Sequence, residues 1–167
     1  MRPTEPTEKT KRARRRREPL APAALASIAN ALAGARAGYE LCARRTNDPN
    51  VAVAVISAAN SASSLLDEIA VAAATHGLDV RPRLRMTDRL RWEWVASTGS
   101  MMEKSADARV LAECARVLGE VVGLDVSPLG ESIASRVRLA SAEAWSLAAA
   151  VDAGARWRSC GVLAASR

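Results

Sequence analysis

The segment Val110 to Val121, VLAECARVLGEV, sets a carboxylate at Glu113, a thiol at Cys114 and a second carboxylate at Glu120 on one helix-forming run. Carboxylates at helical spacing can ligate a metal ion, and a thiol beside a base can act as a nucleophile. Other groups with such chemistry are sparse. The three cysteines, Cys42, Cys114 and Cys160, lie far apart with no Cys-x-x-Cys pair, and His76 is the single histidine. That set is neither a disulfide framework nor a zinc knuckle, and it suits a reducing compartment. A Cys-His pair needs its base next to the thiol, whereas His76 falls at the end of a different helix from either Cys42 or Cys114. No glycine-rich turn joins a strand to a helix, so no phosphate-cradling loop is expected.

A second chemistry lies near the N-terminus. Residues 1 to 18 hold eight basic residues against three acidic ones, which places +5 of the total +6 charge there and leaves the body nearly neutral. The cluster Lys9, Lys11, Arg12, Arg14, Arg15, Arg16 and Arg17 can bind nucleic acid or another anionic surface by counterion release, without sequence preference. Proline at positions 3, 6, 19 and 22 and the lack of apolar residues predict a disordered arm, for which a purely solubilising role is the alternative.

The elements that must position these groups are helical. The apolar fraction is 49%, yet it is Ala, Leu and Val with no Phe and one Tyr, a composition that enters helices readily. A first helix is expected from about Ala23 to Arg45, with the apolar stripe Leu25, Ile28, Leu32, Ala35, Tyr39 and Cys42 at 3,4,3,4,3 spacing. Asp48 as N-cap and Pro49 at the first helical position open a second helix, which runs to Thr75 or His76 and is capped by Gly77. A link around Pro82 leads to a shorter helix, about Thr87 to Met102, on which Trp92 and Trp94 point to opposite sides. A fourth helix is expected from Ser105 to Gly123. Ser127-Pro128 opens a fifth, running to Asp152 or beyond. Gly34 and Gly38 suit a close helix approach.

Basic residues followed by LAPAALASIANALAGARA also have the outline of an export signal. Pro22, Ser27 and Asn30 interrupt it, however, and the helical stripe continues past any cleavage point, so a cytoplasmic chain is the expectation. No run of 18 apolar residues without polar interruption exists, so no transmembrane span is expected.

In their order and spacing, four segments resemble a bacterial branch of the ferritin-like superfamily, small four-helix proteins of uncharacterised function. They are GYELCARRTNDPNV at Gly38 to Val51, SSLLDEIAVAAATHG at Ser63 to Gly77, RLRWEWV at Arg89 to Val95, and VLAECARVLGE at Val110 to Glu120. The resemblance implies an all-α, ferritin-like four-helix bundle, with an up-and-down helix pair, a short Trp-bearing crossover helix and a second pair. It also raises a di-metal site built from a Glu on each of two helices and Glu-x-x-His on the other two. This chain contains no Glu-x-x-His. Where the related family is expected to carry Cys-Glu-x-Gly-Glu, Cys114 to Leu118 reads Cys-Ala-Arg-Val-Leu.

A carboxylate-only site would fall to Glu40, Glu68, Glu113 and Glu143. At about 100° per residue, Glu40 stands roughly 110° from the centre of its stripe. Glu68 faces away from Val55, Ala59, Ala62, Leu66 and Ile69, and Glu113 lies off the stripe Leu111, Cys114, Val117, Leu118, Val121. Only Glu143 flanks a stripe. Solvated helix faces are therefore expected for these carboxylates, with no cofactor, iron or manganese being the alternative. The domain plan is a tail at 1–22, a bundle at 23–155 and an extension at 156–167. The expected protein is non-enzymatic and acts by interaction or as a structural element, with a homo-oligomer through helix faces as one form of partner. Binding of nucleic acid or another polyanion through the tail is the other reading.

Overall fold

The computed structural model describes residues 22–82, 86–98, 105–124 and 129–165, the side chains of 86–89 and 155–165 excepted. The basic cluster Lys9 to Arg17, the expected Ser127-Pro128 helix start and the side chains of Trp157 and Cys160 lie outside that description. Among the described residues there are five helices and no strand: α1 (Pro22–Arg45), α2 (Pro49–Thr75), α3 (Met86–Ser97), α4 (Ala106–Val122) and α5 (Glu131–Ala165). The expected boundary between 155 and 156 falls inside α5, which continues unbroken to Ala165.

Local chemistry sets the helix ends. Asp48 accepts hydrogen bonds from the backbone N–H groups of Asn50 and Val51 at 3.0 and 3.4 Å, filling orphan donors at the start of α2, with Pro49 next to it. At the other end Gly77 takes φ +72°, a conformation that disfavours a Cβ. There Gly77 N–H bonds Ala74 O and Leu78 N–H bonds Ala73 O, the paired closure of a Schellman motif, while Leu78 packs back onto the core. Ser105 caps α4 by accepting from Ala108 N–H at 3.1 Å, and Asp107 sits in the first turn where the helix dipole favours an anion. Gly130, at φ +109°, precedes α5, which starts at Glu131, three residues beyond the expected Pro128.

The three-residue link 46–48 turns α2 back antiparallel to α1. Helix α1 packs against α2 and α4, α5 packs against α4 and α2, and α3 rests on α4 and α1. The whole expected stripe of α1 is buried, together with Ala29, Ala31, Ala33, Gly34, Gly38 and Leu41, so half of its 24 residues are enclosed. Small residues on a second side are what allow a central helix to be approached from several directions. On α2 the buried set is Val55, Ala59, Ala62, Leu65, Ile69 and Ala73. Leu65, not the expected Leu66, is the enclosed leucine; Leu66 is only partly buried against the core. This α2 is also the one helix, among those described, long and apolar enough by length and composition to cross a membrane, and weakly so, with a mean hydropathy of 1.2. Serines, Asn60, Asp67 and Glu68 interrupt it.

Candidate functional site

Three of the four candidate carboxylates are held by arginines. Glu40 receives Arg36 Nε at 2.7 Å from one turn earlier on α1. Glu68 pairs with Arg136 across the α2 and α5 seam, and Ser64 Oγ lies 3.5 Å from its carboxylate. Glu113 accepts from Arg91 of α3 and from both Nε and Nη2 of Arg116, each at 2.8 Å. Its side chain is only 16% exposed, which corrects the expectation of a solvated position. Hydrogen bonds from Arg116 and the nearby Arg91 charge hold its carboxyl below the ordinary value, against the opposing effect of burial. Arg116 reaches on to Glu120, so the charged chain runs Arg91, Glu113, Arg116, Glu120. Glu143 is exposed and lines the groove between α2 and α5. Among the described residues no three of His, Cys, Asp and Glu come together in a way that could hold a metal ion.

The thiols of Cys42 and Cys114 are free and buried. Burial and the neighbouring Asp107 push the Cys42 thiol up to about 12. Burial raises that of Cys114 well above the ordinary value, and its Sγ donates to the Ala35 carbonyl at 3.5 Å. A nucleophile needs the opposite shift. His76 caps the far end of α2, a helix about 40 Å long by its 1.5 Å rise, whereas Cys42 lies near the Asp48 turn. Burial also raises the Tyr39 hydroxyl, with smaller contributions from Cys114 and Glu143.

The geometry around Trp92 explains the two glycines of α1. A Cβ on Gly38 would stand 2.5 Å from Cys114 Sγ and 3.1 Å from the Trp92 ring, and one on Gly34 would reach the same ring at 4.0 Å. The indole therefore lies against the glycine-bearing side of α1, and Trp92 is 4% exposed while Trp94 is 66% exposed. The groove beside it, about 950 Å³, has an apolar floor of Ala33, Ala37, Leu41, Leu66 and Trp92 and a rim of Arg36, Glu40, Arg44, Glu93 and the exposed Leu90. A second groove of about 430 Å³ between α2 and α5 reaches Leu32, Tyr39 and Leu118. Neither sets a nucleophile beside a base. Sequence reasoning missed Arg91 as the partner of Glu113; the arginine-rich run RLRWEWV was the available signal.

In comparisons with family models, with curated proteins and with solved structures, the chain finds no match.

Proposed function

We propose that the chain is a ferritin-like four-helix bundle whose second and third long helices are bridged by the Trp92-bearing crossover helix α3. It acts without catalysis, as an interaction or structural protein. The ring of contacts α1 to α2 to α5 to α4 supports the architecture. The observation that carries the functional reading is the engagement of Glu40, Glu68 and Glu113 by Arg36, Arg136, Arg91 and Arg116. A di-metal centre needs its carboxylates aimed at one another across the core with imidazole beside them. Guanidinium pairing instead turns these groups into fasteners between neighbouring turns and helices.

Metal analysis of protein purified without chelator tests this. Iron and manganese should together stay below about one per chain, because half of the ligand plan is missing. Near-stoichiometric metal that is lost on Glu40→Ala or Glu113→Ala would overturn the reading. The +5 charge of residues 1 to 18 supports a second activity, non-specific attachment to nucleic acid or another polyanion.

A further inference from the structure

One charged group near the start of α4 has no counterpart. Arg109 as a whole is partly exposed, yet Nε, Nη1 and Nη2 of its guanidinium are all closed off from solvent and have no hydrogen-bond partner among the described residues. The carboxylate one turn further on, Glu113, is already bonded to Arg91 and Arg116. A buried ion without a partner is costly, and a guanidinium kept in such a place calls for something that joins it. The same end of α4 offers further donors. Ser105 takes up the N–H of Ala108 through its hydroxyl at 3.1 Å and that of Arg109 through its carbonyl at 3.2 Å. The N–H groups of Ala106 and Asp107 precede any acceptor within the helix. Helical side chains lean towards the N-terminus, which carries the Arg109 guanidinium back to the level of these groups. Asp107, the acidic residue of that turn, is rotated about 200° from Arg109 and meets Cys42 of α1, so its charge lies on the other side of the helix.

We infer that the first turn of α4 and the Arg109 guanidinium form a binding site for a small oxyanion, a phosphoryl group, either as free phosphate or carried on a small molecule. The guanidinium fork matches two oxygens of a tetrahedral anion, and the open N–H groups of the turn are left for a third, which a carboxylate does not have. The positive end of the helix dipole adds to the attraction. Enclosure sets the size of the ligand. Nitrogen atoms that solvent does not reach are closed to the backbone phosphates of a duplex or the headgroups of a membrane, so this site is distinct from the polyanion binding assigned to the tail. It is also independent of the bundle's lost metal centre, because Arg109 takes no part in the arginine and carboxylate pairs described above.

Thermal melts of the full chain in inorganic phosphate and in chloride, at equal ionic strength, test the site. The parent should melt higher in phosphate, by roughly 5–10 °C once the anion exceeds its dissociation constant a hundredfold. Arg109→Met, of similar length and without charge, should be at least as stable as the parent in chloride and should lose that response. Any general stabilisation by an excluded salt is shared by the two proteins and cancels. Arg109→Lys keeps the charge without the fork and should respond more weakly than the parent. Phosphoserine, run as a second arm, separates the sources: a response to both ligands assigns the phosphoryl group of a larger molecule, and a response to inorganic phosphate alone assigns the free ion. An equal rise in the parent and Arg109→Met, or no rise in the parent, would overturn the inference. So would a large loss of stability of Arg109→Met in chloride, because the guanidinium would then have its partner within the chain.

Discussion

Gly38 of α1 and Cys114 of α4 meet so closely that the sulfur occupies the space a Cβ would need, 2.5 Å from where that atom would stand. The contact sets the spacing of the two helices and leaves room for Trp92 against the same glycine.

Gly38→Ala should accordingly destabilise the fold. Alanine gains roughly 1 kcal/mol of helix preference over glycine, but overpacking costs about 1–3 kcal/mol and here meets both a sulfur and an indole. A urea melt of Gly38→Ala, Cys114→Ala and the double variant checks this. The double variant should lose less than the sum of the two, as residues in direct contact do. Strict additivity would mean that the helices move apart freely.

The enclosed leucines differ from their neighbour on α2. Leu32→Ala and Leu65→Ala should each lose about 2–5 kcal/mol, as buried large-to-small changes do, and Leu66→Ala clearly less, because Leu66 is only partly covered. Denaturant midpoints of the three single variants settle the order.

Glu113 makes stability depend on acid. Its folded carboxyl titrates below the ordinary 4.5, so its contribution is full above that value and is lost as pH falls through the lower folded value. Glu113→Gln should cost about 1 kcal/mol at neutral pH, the scale of a charge-assisted bond whose arginines are partly solvated. The difference between the parent and the variant should vanish in strong acid, which paired melts at pH 7 and pH 2 would show.

The buried thiols respond at the other end of the scale. Cys42 titrates near 12 when folded and near 9 when not, so its protonated form supports folding fully below pH 9 and that support is lost as pH rises towards 12. In a Cys160→Ser chain at pH 8, a thiol reagent should label neither Cys42 nor Cys114 until denaturant is added. Rapid labelling of the native protein would mean that α1 and α4 open locally.

The tail and body should separate. A chain starting at Pro19 should keep its helical circular dichroism and thermal transition, yet lose duplex DNA binding that in the full chain weakens steeply with salt. Sequence-selective binding by the shortened chain would move recognition onto the helices.

Much of this architecture was legible in the sequence because it is written locally. Asp48-Pro49, Gly77 and Ser105 act within one helical turn, and the stripe from Leu25 to Cys42 is a periodicity that needs no partner to be read. The opposite placements of Trp92 and Trp94 follow from helical rotation alone. The misreadings involve two neighbours at once. A wheel drawn for α4 alone sends Glu113 to solvent, but α3 lies over that flank and brings Arg91 to it. Leu65 rather than Leu66 is the enclosed leucine because α2 packs against α5 as well as α1, and Leu65 lies with Ala62 along the groove that α5 walls. No pattern within α2 announces where α5 lies.

The link of three residues between α1 and α2 has a kinetic side. Contacts within that hairpin close over short stretches of chain, whereas the Cys114 thiol and the Ala35 carbonyl are 79 residues apart and close a far longer loop. Substitutions at the Gly38 seam should therefore act mainly on how fast the native protein unfolds, and substitutions inside the hairpin on how fast it forms. Loop length thus favours the α1 and α2 hairpin as the earlier unit and the closure of Cys114 onto α1 as the later one.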